Sequence, residues 1–186
     1  METPIKRLKR RELGGEMQQQ KGALRILAID PGKTTGYCYG AFKDGKLYYH
    51  PFQSFDAVED LWDKMQTFQP AHIVCESFEF RKNSRAGLEL FSVQLIGVAH
   101  LYEALHPHDC TLYMQTAAYG KGYYTDNVLK QSGLYVRGNE HARDATRHLL
   151  QWATFGPGYK FNTSKTRDGW AFMVEKEAFD WQPSKN

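Results

Sequence analysis

Hydrophobic residues recur along this chain with two periods, and the places where one period gives way to the other mark out its elements. Leu24 to Ile29 form an almost unbroken apolar run, the pattern of a strand covered on both faces, and Asp30 ends it. Two further strands are predicted near Gly36–Phe42 and Lys46–Phe52, joined through Lys43-Asp44-Gly45-Lys46, where Asp-Gly favours a tight hairpin. From Asp56 the period lengthens. Val58, Leu61, Trp62, Met65 and Phe68 fall on one helical face, with Asp56 and Glu59 spaced for a capping box. Ala71 to Glu76 reads as a short apolar strand that again ends in an acid. Leu88, Phe91, Leu95, Val98, Tyr102 and Leu105 mark a long helix, and Thr111 to Gln115 a further strand. A last helix starts after Asn139, with Ala142, Ala145, Leu149 and Trp152 on one face. The pattern is α/β: a mixed five-stranded sheet (βββαβαβα) flanked by helices.

A chain of 186 residues, 41% hydrophobic and 14% aromatic, can bury one good core. One domain is therefore expected over residues 23–155, between a disordered basic arm at 1–22 and a C-terminal extension at 156–186 that keeps Trp170, Phe172, Val174, Phe179 and Trp181. The net charge of +3 is uneven: the first 22 residues hold six Lys/Arg against three acids, and the remainder is balanced at 18 of each. "KRLKRREL" lacks the apolar residues a core needs, so the arm either holds phosphates or merely solubilises the end. It has no apolar core of a secretory signal, and no run is long enough to span a membrane, so a soluble intracellular protein is expected. Cys38, Cys75 and Cys110 are odd in number and fall in or beside predicted strands, as reduced core residues do. "HPHDC", His106 to Cys110, lacks the spacing of a zinc site and reads as a turn.

The letters Gly32-Lys33-Thr34 suggest a phosphate loop, but that loop needs a glycine where Leu27 stands and a helix where Tyr37-Cys38-Tyr39 predicts a strand. What remains is a carboxylate at a strand end, tipped outward by Pro31-Gly32. Glu76 ends a second strand, and "NEHARDATRHLL" opens the last helix with His141, Asp144 and His148 on one face, about 100° from the apolar stripe. Carboxylates converging from adjacent strand ends repel unless a divalent cation lies between them. Oxygen donors with one imidazole suit Mg²⁺ or Mn²⁺ rather than zinc. Such a paired-ion site performs phosphoryl transfer. Singly, each residue has a plainer reading, as a salt-bridged strand end or an exposed helical acid.

At these positions the sequence resembles the RuvC-type Holliday junction resolvases of the RNase H-like superfamily. "AIDPGKTTGY" resembles that family's first-strand aspartate motif, "IVCESF" its glutamate strand and "HARDAT" its His-x-x-Asp-Ala helix. "NSRAGLELFSVQLIGVAH" is similar to the long helix after the glutamate, and "MQTAAYGKGYYTDNVL" to the strand and Gly-x-Gly loop before the final helix. The resemblance spans Leu24 to Thr154. It implies an RNase H-like fold, a homodimer, and Mg²⁺-dependent paired nicking of four-way DNA junctions in recombination or repair, with two ions per subunit and Mn²⁺ as a substitute. Asp30, Glu76, His141 and Asp144 would be both the metal ligands and the catalytic set. Where the family has a lysine after the loop, this chain has Thr125 and Asp126, so Lys121 or Lys130 would take its place. Where the family places an aromatic wedge, Glu79 stands between Phe78 and Phe80. With Arg81, Lys82, Arg85, Lys33 and Lys121, these phenylalanines form the expected DNA-binding set.

Two other function classes fit parts of the pattern. A nucleotide hydrolase of the actin and hexokinase type shares the first-hairpin motif but needs two domains to clasp its nucleotide, more than 186 residues supply. A non-catalytic branched-DNA binder would have little use for three acids that repel the backbone. Related nucleases that cut RNA–DNA hybrids or branched DNA generally stay open, because a metal site does not choose its substrate.

Overall fold

The structure, a computed structural model, describes residues 23–44, 46–54, 58–78, 90–156 and 174–175. The basic arm, the Asp56 cap, Phe80, Arg81, Lys82, Arg85 and most of the C-terminal extension therefore lie outside the described residues. Five strands form the mixed sheet expected from the sequence: β1 (Leu24–Asp30), β2 (Thr35–Lys43), β3 (Lys46–Ser54), β4 (His72–Glu76) and β5 (Thr111–Gln115). A two-residue strand, β6 (Val174–Glu175), adds to the β3 edge, giving the order β5-β4-β1-β2-β3-β6. β1 is central, antiparallel to β2 and parallel to β4. The β2–β3 hairpin closes with Lys43 opposite Lys46, and Asp44 takes the positive φ of 51° that such a turn requires.

Side-chain alternation sends the two faces of the sheet to two layers of helices. Leu27, Ile29, Ile73 and Cys75 face α1 (Val58–Phe68) and α2 (Phe91–Leu105), meeting Leu61, Met65, Phe68, Leu95, Ala99 and Tyr102. Ile26, Ala28, Cys38 and Val74 face α5 (Glu140–Phe155), meeting Ala145, Leu149 and Trp152. α5 lies unusually close to β2, because the residues beneath it are Gly36 and Gly40. A Cβ on Gly36 would stand 2.0 Å from the His141 carbonyl oxygen, and one on Gly40 would stand 2.8 Å from a Leu149 methyl. The strand thus presents only hydrogen, the small Cys38 thiol and hydrogen again to the helix at positions 36, 38 and 40. Cys38, Cys75 and Cys110 are free and buried, as expected, and burial pushes the Cys38 and Cys110 thiols up to about 12.

The segment expected to form a Gly-x-Gly loop is instead helical. Gly120-Lys121-Gly122 lies within α3 (Ala117–Tyr123), and α4 (Asp126–Gln131) follows it. Helix propensity disfavours two glycines in seven residues, but tertiary packing wins here: Gly120 is buried, and a Cβ on it would stand 3.1 Å from that of Arg147. On α2, Leu95 and Tyr102 are buried while Phe91 and Val98 are partly so; Val93, Leu101 and Leu105 are exposed, and nothing lies within 4 Å of a Cβ on Gly97. Among the described residues, no helix is long and apolar enough to cross a membrane.

Candidate active site

The last residues of the three parallel strands, Asp30, Glu76 and Gln115, all fall on the α5 side of the sheet. In register Ile29 pairs with Cys75, so Asp30 and Glu76 are neighbours, and Glu76 pairs with Gln115. Alternation puts them on the face of Ala28, Val74 and Tyr113, under the helix. Strand ends of this kind are where open α/β sheets place their ligands. The first half of α5 then delivers His141, Asp144 and His148, spaced three and four apart, over those ends.

Each carboxylate has a local partner. His141 donates through Nδ1–H to Asp30 Oδ2 at 2.9 Å. Buried His148 donates through Nε2–H to Glu76 Oε2 at 2.8 Å, and its Nδ1 lies 2.8 Å from the side-chain amide of Gln115. Asp144 is engaged at both oxygens, by Lys121 Nζ at 2.8 Å on Oδ2 and by the Arg147 guanidinium on Oδ1. Arg147 is itself buried. It also grips the Asp126 carboxylate of α4 and donates through Nε–H to the Tyr124 carbonyl at 2.8 Å. Among the described residues, these bonds engage one oxygen of Asp30 and one of Glu76, and leave the second of each for another partner.

Electrostatics tie the three acids into one centre. Burial raises the Asp30 pKa most; the Glu76 and Asp144 charges raise it further, against the opposing bond from His141. The Lys121 pKa is raised as well, chiefly by its bond to Asp144 and then by the charges of Asp144, Glu76 and Asp30. The cluster thus carries an excess of negative charge that a cation would relieve. No three His, Cys, Asp or Glu side chains among the described residues are already gathered as a cation cage. The donor set nonetheless fits a hard divalent ion: three carboxylates, two with an unengaged oxygen, and one imidazole.

Of the expected DNA-binding residues, Lys33 is exposed on the turn after Asp30, and Phe78 is half-buried just beyond β4. Lys121 has a side chain 52% exposed but pairs with Asp144. Sequence reading set His148 beside the site without assigning it a contact. It missed Arg147, Asp126, Gln115 and Gly36. For Gln115 a signal existed, since it ends a strand parallel to those of the two acids; Arg147 reads as a surface residue until α3 and α4 are placed over it.

No protein-family model matches the chain, and no curated protein does. Solved structures do match. Thermus thermophilus RuvC in complex with a Holliday junction substrate superposes with a TM-score of 0.52 at 15% identity, over 70% of this chain and 92% of that one. Thermus thermophilus RuvC alone gives 0.51 at 18% identity, over 69% and 93%. The yeast mitochondrial Holliday junction resolvase Ydc2 gives 0.48 at 14%, over 70% and 78%. The chain has the RNase H-like fold of RuvC.

Proposed function

We propose that the chain is a divalent-metal-dependent endonuclease that resolves four-way DNA junctions by paired symmetric nicks. The observation that carries this reading is the meeting of Asp30, Glu76 and Asp144 in one electrostatic centre at the ends of parallel strands. The similarity in fold to a protein solved on a Holliday junction supports the substrate class.

In this reading Asp30, Glu76, His141 and Asp144 hold the ions. Mg²⁺ bound there would ready a water for attack on the phosphodiester and stabilise the leaving oxygen. The chain's own residues fix the ligands: His148 and Gln115 set the direction of Glu76, and Arg147, anchored on Asp126 and the Tyr124 carbonyl, sets Asp144. Lys121 balances the site's charge and reaches solvent, where a substrate phosphate would arrive. Lys33, Phe78, Phe80, Arg81, Lys82 and Arg85 would contact the branch around it, and the basic arm at 1–22 would add phosphate contacts.

A junction has two-fold symmetry, so a homodimer with one site per subunit suits it. The exposed α2 surface of Val93, Leu101 and Leu105, with open space over Gly97, is the proposed seam. A non-catalytic junction binder is the second reading, favoured by the full engagement of Asp144 by Lys121 and Arg147.

Labelled four-way junctions, forks and linear duplex, incubated with Mg²⁺ or EDTA, separate the two. Asp30→Asn and Asp144→Asn are expected to abolish nicking and keep junction binding, since each removes a site charge without touching a basic surface. Near wild-type cutting by either variant, or wild-type cutting in EDTA, would refute the assignment.

A further inference from the structure

We propose that the groove beside edge strand β5 is a subsite for one unstacked nucleobase of the bound DNA, an inference that rests on the nuclease reading above. The groove, ≈290 Å³, lies between β5, α3 and the C-terminal half of α5, lined by Tyr113, Met114, Tyr119, Gln151, Trp152 and Phe155. Its volume is at the small end of ligand sites, enough for one planar ring system.

Three features define the ligand's chemistry. The walls are aromatic and part of them is bare: Tyr119 is 56% exposed and Phe155 53%, while Trp152 beneath is buried and packed on Tyr113 at a centroid distance of 5.6 Å. Flat rings exposed beside a cleft offer stacking surface, which every base can use. Gln151 also lines the groove; it is only 6% exposed, and its Oε1 is buried with no hydrogen-bond partner among the described residues. A buried amide oxygen left without a donor calls for one, and the exocyclic amine or ring N–H of a base would supply it once the Gln151 side chain turns towards the groove. No Lys or Arg lines the groove, which disfavours a phosphate there.

Position links the groove to the cut. Gln115 lines it and also meets His148, whose other nitrogen donates to Glu76. Gln151 is three residues past His148, about 4.5 Å further along α5 at ~1.5 Å per residue. A nucleotide beside the scissile phosphate would therefore have its base within reach of the groove. A base at a branch point, where stacking on one side is interrupted, costs less to unstack than one inside a continuous duplex.

Photocrosslinking tests this. Four-way junctions carrying 5-iodouracil at single thymine positions around the nick are bound by the full chain in EDTA, irradiated, and the adducts mapped by mass spectrometry. Adducts on Tyr119, Trp152 or Phe155 from one or two adjacent positions are expected. Tyr119→Ala and Phe155→Ala, whose exposed rings leave the fold intact, should each weaken binding of that junction about tenfold. They should change nothing on a junction abasic at the mapped position. Adducts only outside the groove overturn the subsite, as does an equal loss on intact and abasic junctions, or crosslinks showing residues 157–186 or a second copy filling the groove in the complex. Wild-type nicking with Mg²⁺ on the same junctions is scored separately: cutting without groove adducts sinks the subsite alone, and absent cutting sinks the nuclease reading.

Discussion

Replacing Gly36 with alanine adds one methyl group and should disable the site without altering any polar residue in it. The new Cβ would lie 2.0 Å from the His141 carbonyl oxygen and 2.2 Å from its carbon, whereas ordinary contact begins near 3.4 Å. The first turn of α5 must therefore retreat by about 1.4 Å, the difference between those distances. His141 Nδ1, now 2.9 Å from Asp30 Oδ2, would move beyond hydrogen-bond range, and Asp144 rides on the same turn. Overpacking of this kind costs ~1–3 kcal/mol. For a chain of this size that is a fall in Tm of roughly 5 °C. A misplacement of about 1 Å at a reacting centre costs on the order of 10²-fold in rate. Thermal unfolding and single-turnover nicking would read both effects. Gly122→Ala is the control, since nothing lies within 4 Å of a Cβ there, and it should gain up to ~0.5–1 kcal/mol from helix propensity. A Gly36→Ala protein with wild-type Tm and nicking rate would refute the account of why a glycine sits beneath α5.

Arg147→Met should destabilise by ~1–3 kcal/mol, because it leaves the buried Asp144 carboxylate to Lys121 alone and Asp126 to Arg143 alone. Combining it with Asp144→Asn should recover part of that loss in urea titrations, and strict additivity would deny the coupling. Burial lowers the His72 pKa from the usual 6.5 to about 4, so the unfolded chain takes up the proton first and stability falls as pH drops from about 6.5 towards 4. After discounting for its partial exposure, that is about 1 kcal/mol between pH 7 and 5. His72→Phe, which keeps a ring against Tyr113 and Trp152, should lose this increment, and an unchanged pH slope would disprove it. Gly97→Arg with Leu101→Asp, both exposed, should give a folded monomer by sedimentation; wild-type protein that is monomeric both free and on junction DNA would rule out the α2 seam.

The sheet, its order of elements and the acids that end β1 and β4 were legible because local periodicity encodes them. Asp30 and Glu76 stand out as charges that close apolar runs, and three- and four-residue spacing alone sets His141, Asp144 and His148 on one face of α5. Contacts between segments distant in sequence were not legible. Arg147 looks like one more charge on a helix until α3 and α4 pack over it, and Gly120 looks like loop because its reason for being glycine is a helix 27 residues on. Gly36 suggests a weak point in a strand; its purpose lies in the backbone of His141. Each of these is tertiary packing overriding local preference.

The central place of β1 has a consequence for how the molecule is made. The first strand of the domain pairs with β4, and its terminal aspartate meets a histidine 111 positions later. Non-local pairings of this kind close late and slow folding, because long loops must be ordered before any contact is gained. A nascent chain that has not reached Glu140 possesses Asp30 and Glu76 but neither Asp144 nor the helix that holds all three acids together. On the proposed nuclease reading, fragments left by interrupted synthesis or by proteolysis before α5 should therefore be inert towards DNA strands, so that assembly of the fold itself would act as the safety catch on that chemistry.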